Sequence, residues 1–195
     1  MIKMVEFYLT RHGETEGNVA HILQGHMPGR LTERGKEQAA ELRETLAGLH
    51  VDFHLILSSP LRRAVDTVDI INEAFHLPVE FVPLLCERDW GSLTGTVVPS
   101  CGINNMPEDV ESVEAMFLRA TRFLQLLWDE YEGKKILVVA HGLFNRVIQA
   151  VLRGVTIRDV QPMRNAEYRC FHLTSRPEWE SLASKHSSSD SVSAS

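Results

Sequence analysis

Little in this chain favours a membrane, a nucleic acid or a disulfide framework. No apolar run approaches the roughly 20 residues of a spanning helix, and the first residues carry no signal-peptide core. Positive charge is in deficit: 20 Lys and Arg stand against 26 Asp and Glu, a formal net charge of −6. General attraction to nucleic acid or to an anionic membrane is therefore not expected. Cysteines number only three, Cys86, Cys101 and Cys170, with no CxxC. That fits a reducing, cytoplasmic compartment. His21, His26, His50, His54, His76, His172 and His186 show no metal-ligand spacing and read as surface or structural. No magnesium, zinc or nucleotide motif appears, so neither a metal nor another cofactor is expected.

What is present is the pattern of an α/β enzyme. The 195 residues are 44% hydrophobic, ordinary for a globular chain. Helical periodicity runs over about 32–49, 60–75, 108–131 and 143–152, with the third stripe carrying Val110, Val113, Phe117, Ala120, Leu124, Leu127 and Tyr131. Short apolar strands alternate with these segments, and a late one lies near Tyr168–Leu173. Alternation of this kind predicts three α/β/α layers around a mainly parallel sheet. One domain over 1–183 follows, with residues 92–107 as a loop over the site. The Ser-rich tail over 184–195 reads as disordered.

The strand ends carry the chemistry. Val5–Thr10 reads as a strand and runs into Arg11-His12-Gly13-Glu14. Ile136–Ala140, a continuous apolar run typical of a strand buried on both faces, runs into His141-Gly142. Ligands of open α/β sheets bind at the carboxyl ends of strands. Two imidazoles and a guanidinium there favour an anion, above all phosphate. A third strand, Leu55-Ile56-Leu57, leads to Ser58-Ser59-Pro60 and then Arg62-Arg63. Ser59 suits an N-cap and Pro60 a first helical position. Two arginines in the first turn oppose the helix dipole, and such a broken local rule points to function.

Read together, these motifs resemble the histidine phosphatase superfamily, which includes the cofactor-dependent phosphoglycerate mutases. The resemblance runs from about Val5 to Leu173. It rests on Arg11-His12-Gly13-Glu14-Thr15-Glu16-Gly17-Asn18, on Leu31-Thr32-Glu33-Arg34-Gly35, on Ser58 to Thr67, on Glu87-Arg88-Asp89-Trp90-Gly91 and on Val138 to Gly142. The chain departs from the family pattern at Gly17, where a large aromatic is frequent, at Gly29-Arg30 and at Thr94-Gly95.

The resemblance implies a division of labour. His12 is the nucleophile, forming a phosphohistidine. Arg11, Arg63 and His141 hold the non-bridging oxygens, His141 as a cation once phosphate is bound. Glu87 is the proton donor. Asn18, Gln24, Gly25 and Gly142 contact the substrate. Arg63, directly before Ala64, takes the catalytic arginine's place, and Arg62 matches a variable one. The expected partner is a small phosphorylated substrate, and a homodimer is left open. His141 stands 54 positions after Glu87. The family's mutases carry a longer insertion there, which favours water as acceptor and hence a phosphatase. Mutase-type transfer and a non-catalytic phosphate-binding regulator are the alternatives. A regulator would be expected to lack one of the five catalytic groups, all of which are present.

Overall fold

The computed structural model describes residues 3–98 and 106–178. The tail expected from residue 184, together with Cys101 and His186, lies outside the described residues. Five strands form one sheet: β1 (Val5–Arg11), β2 (Leu55–Ser58), β3 (Val79–Phe81), β4 (Lys135–Ala140) and β5 (Tyr168–Leu173). Their order is β3-β2-β4-β1-β5. All neighbouring pairs are parallel except β1 with β5. The mainly parallel sheet expected from the sequence is thus present, with one antiparallel edge.

Alternation along the strands divides the core. Phe7, Leu9, Leu57, Val138 and Ala140 face one side, with Phe117, Leu124 and Phe144. Tyr8, Ile56, Leu137 and Val139 face the other, with Leu42, Leu46, Val68 and Ile71. The first face is covered by α4 (Val113–Glu130) and α5 (Gly142–Arg153), the second by α2 (Glu33–Gly48) and α3 (Arg62–Asn72). A single turn, α1 (Glu16–Val19), follows β1. These are the three expected layers. The apolar run in β4 is fully buried from Ile136 to Ala140, as a central parallel strand requires.

Several boundaries differ from the sequence reading. The third long helix begins at Val113, where Ser112 Oγ accepts from Ala115 N at 3.1 Å. The helix expected from Pro60 begins at Arg62, and its cap residue Leu61 makes no side-chain cap bond. Ser59 is not the N-cap because the helix starts beyond it; its hydroxyl accepts from Leu61 N at 3.3 Å and lies 2.7 Å from His141 Nε2. Residues 92–98 of the expected loop include the end of a 3₁₀ turn and a bridge from Val97 to Ile22. Residues 99–105 lie outside the described residues.

The loop after β1 is fixed by a close backbone approach. A Cβ on Gly35 would lie 2.0 Å from the Glu14 carbonyl oxygen, and one on Gly13 would lie 2.4 Å from the Gly35 carbonyl oxygen. The N-terminus of α2 can press on this loop only because neither residue has a side chain. For Gly35→Ala, helix propensity gains up to about 1 kcal/mol, whereas overpacking against unyielding backbone costs about 1–3 kcal/mol. We expect Gly35→Ala to lower the urea midpoint and to reduce turnover; a midpoint raised by the substitution would show that the loop yields freely.

Candidate active site

Register brings the site together. Arg11 pairs with Ala140 across β1 and β4, so His12 and His141 emerge side by side. Their ring centroids are 5.2 Å apart at 61°. Ser58 pairs with Val139, which sets Ser59 beside His141 on its other flank. Three strand ends thus deliver Ser59, His141 and His12 in a row.

The hydrogen bonds assign the tautomers. His12 Nδ1 lies 2.7 Å from its neighbour's carbonyl, Gly13 O. A carbonyl only accepts, so Nδ1 carries the proton and Nε2 keeps a lone pair. Arg63 Nε donates to His141 Nδ1 at 3.2 Å. A guanidinium only donates, so the His141 proton sits on Nε2 and is given to Ser59 Oγ. Both rings are held neutral. Burial, then the charges of Arg63 and Arg11, push His12 well below the usual histidine range. Burial, then Arg63 and the neighbouring His12, do the same to His141.

Arg11, His12, Asn18, Gln24, Gly25, Arg63, Glu87 and Gly142 all line one cavity of about 610 Å³. Arg11 Nη1 donates to Met163 O at 2.6 Å, while its buried Nε has no hydrogen-bond partner among the described residues. An orphaned buried donor is costly unless something occupies it, and a bound anion would. Gly142 gives Arg11 room, since a Cβ there would lie 3.1 Å from the guanidinium carbon. Arg63, fully buried, holds the cavity floor through Gly25 O at 2.8 Å and Met27 O at 2.7 Å. Burial pushes both guanidiniums down, and the charge of Glu87 counters it in each. Arg62 instead turns outward to an exposed pair with Asp66 at 2.6 Å.

Glu87 has a structural partner. Its carboxylate accepts from Phe144 N at 3.0 Å and Leu143 N at 3.2 Å. It therefore caps α5, whose cap residue His141 makes no side-chain cap bond, and its charge suits that end of the helix dipole. Asn18 Oδ1 accepts from Thr15 N, Thr15 Oγ1 and Asn165 Nδ2, which leaves its own amide N–H groups for the cavity. Gln24 Oε1 lies 3.1 Å from the same Thr15 hydroxyl, whose one proton it shares with Asn18 Oδ1. A Cβ on Gly17 would sit 2.4 Å from Gln24 Cδ, so the glycine that departs from the family pattern makes room for this side chain.

His141 sits deeper than the other site residues. It is fully buried, both nitrogens are engaged, and it is not among the residues lining the cavity. In the ligand-free protein it supports Arg63 through Nδ1 and packs beside His12.

Other contributors were not foreseen. Asn165 Nδ2 bridges His12 O at 3.1 Å and Asn18 Oδ1 at 3.2 Å. Arg119 grips the segment that carries Glu87, donating to Leu84 O at 2.8 Å and Cys86 O at 2.6 Å. Glu111 holds Arg119 in a two-pronged pair at 2.8 and 2.9 Å. Ile22, Leu23, Trp90, Val98, Leu143 and Met163 give the cavity an apolar wall.

The model of the histidine phosphatase superfamily (branch 1) matches residues 7–181. An uncharacterized phosphatase of Bacillus subtilis, PhoE, is 34% identical over 159 residues, covering 80% of each chain. A metal-independent phosphoserine phosphatase of Arabidopsis thaliana is 30% identical over 192 residues, covering 88% of this chain and 77% of the relative. The crystal structure of the alpha-ribazole phosphatase from Shigella flexneri superposes with a TM-score of 0.75 at 27% identity, covering 88% of this chain and 97% of that one.

The tautomers are measurable. Nitrogen-15 NMR of the ligand-free protein should show His12 protonated on Nδ1 and His141 on Nε2, neither titrating between pH 6 and 8. Because an unfolded histidine takes its proton near pH 6.5, the folded state should lose stability as pH falls below that value. A histidine at either position titrating near 6.5 would overturn the assignment.

Proposed function

This chain belongs to the histidine phosphatase superfamily, and from that premise we propose that it hydrolyses a phosphate monoester through a phosphohistidine on His12, without a metal. One observation carries the choice of nucleophile. Of the two strand-end imidazoles, His12 lines the cavity with Nε2 unengaged, whereas His141 is buried behind it with both nitrogens occupied.

His12 Nε2 attacks phosphorus in line, forming the N–P bond as the P–O bond to the leaving group breaks. The Gly13 carbonyl steadies the positive charge that develops on the ring, through Nδ1–H. Glu87, a carboxylate in the free protein, takes up the proton that a phosphate monoester monoanion brings in, passes it to the leaving oxygen as the acid, and later takes one from the water that attacks phosphorus. Phosphate departs and His12 returns to its neutral form. Arg11, through its orphaned Nε, and Arg63 hold the non-bridging oxygens where charge spreads in the transition state. The Asn18 amide donates to the same phosphate, and the Gln24–Gly25 segment and Gly142 bound the site. His141 keeps Arg63 and His12 in place.

Two guanidiniums already supply the positive charge, and a divalent cation beside them would be repelled. The apolar wall suits a leaving group with an apolar body, which makes an aryl phosphate the assay substrate of choice. Residues 1–183 act as one domain in this reading, in the cytoplasm, on a small substrate. Water is the acceptor, since the span from Glu87 to His141 is short. The likeness to named phosphatases supports the same choice.

Acid quenching during turnover of a labelled substrate, then peptide mapping at neutral to basic pH, should place label on the peptide containing His12, with activity unchanged by a chelator. Label on the His141 peptide, or activity lost to the chelator and restored by magnesium, would refute the mechanism.

The arginine assignment has its own test. Arg63→Ala should lower kcat/KM by about 3–4 kcal/mol of transition-state stabilisation, the loss seen for a missing oxyanion donor. Arg62→Ala removes an exposed ion pair worth about 0–1 kcal/mol and should leave kcat/KM within about twofold. Equal losses in steady-state kinetics would show that the register of this motif is wrong.

A further inference from the structure

We propose that Glu6, Cys170 and His172 form a binding site for a borderline-soft divalent cation of the zinc type, at the edge of the sheet opposite the phosphate site. It is independent of the phosphatase reading. Glu6 and His172 are direct partners in the antiparallel β1–β5 ladder, and Cys170 lies two residues along β5, opposite Tyr8. Residues two apart on a strand share a face, so three donors rise from one patch. The carboxylate oxygen, the sulfur and the imidazole nitrogen all lie within 4.8 Å of one another, and Glu6 Oε2 is 3.8 Å from His172 Nε2. Donors bound to one tetrahedral ion at about 2.0–2.3 Å stand nearer one another than this, and rotamer adjustments of exposed side chains can supply the difference.

Three features favour a cation over a plain polar ladder. The donor set is mixed: thiolate and imidazole select zinc-like ions over magnesium or calcium, which prefer oxygen alone. The carboxylate is oriented by a neighbour. Tyr8 OH donates to Glu6 Oε1 at 2.8 Å, which leaves Oε2 to turn toward the imidazole, and an outer hydrogen bond of this kind commonly fixes a ligand. Tyr8 is itself buried and lies within hydrogen-bond reach of Cys170. Finally, His172 and Cys170 are exposed, so an ion and a completing water have an entry path. Binding forms the metal–sulfur bond as the thiol proton passes to solvent. The ion would tie the edge strand β5 to β1. The Met163–Asn165 segment that Arg11 and His12 lean on lies just before β5.

The sequence could not show this site, because Glu6 is distant in the chain and no close ligand spacing exists. Cobalt(II) titration of the full chain tests it. We expect one equivalent per chain to produce a thiolate-to-cobalt absorption band, displaced by zinc. Zinc should also raise the melting temperature of the parent protein. Cys170→Ser and His172→Ala should each weaken cobalt binding at least tenfold and abolish the zinc effect on melting. Cys101→Ser should leave both intact. Absence of a thiolate band in the parent protein, or Cys170→Ser retaining the band at the same affinity, would overturn the proposal. Hydrolysis of an aryl phosphate by metal-free Cys170→Ser should match the parent, which separates this result from any failure of the mechanism.

Discussion

The register between β1 and β4 is the constraint on which the site depends. With Arg11 opposite Ala140, the next residue of each strand is a histidine, and the imidazoles meet edge to face. A slip of one residue would send one of them to the opposite face. The apolar alternation that fills both cores fixes that register. Core packing and catalytic geometry are therefore the same fact, read at the middle and at the end of the same strands.

From this pairing follows an electrostatic arrangement. Two buried imidazoles sit beside one buried guanidinium, Arg63, and one half-buried, Arg11, and the imidazoles yield by staying neutral. The arginines keep their charge and are held by backbone carbonyls: Met163 for Arg11, Gly25 and Met27 for Arg63. Neutral carbonyls orient a guanidinium without cancelling its charge. The site thus stays positive and desolvated, which strengthens its attraction for a phosphate dianion. Glu87 is the nearby carboxylate of this group, and its backbone partners in α5 keep it pointed at the helix end.

Much of this was legible in the sequence because the signals were local. Apolar runs marked β1, β2 and β4, and their polar ends named His12, Arg11 and His141. The motif around Arg63 separated it from Arg62. What remained hidden depended on residues far apart in the chain. Asn165 reaches His12 across a turn that no pattern marks. The Arg119–Glu111 pair joins a helix to the Glu87 segment, and neither residue belongs to one of the motifs. β3 is three residues long, largely exposed and preceded by Pro78, too little for a strand pattern. The Ser59 hydroxyl does bond a backbone N–H two residues on, at Leu61, but in a local turn, and the helix starts only at Arg62.

The contact between Gly17 and Gln24 has a consequence for how this pocket can change over generations. Side chain at one position and conformation at the other compete for the same volume, so the two sites cannot drift independently. A large ring at 17 becomes acceptable only after 24 has shortened or turned away, and a long polar residue at 24 is tolerated only while 17 stays bare. A side chain gained at 17 would therefore be felt first at Gln24, which would have to swing out of its place beside Thr15.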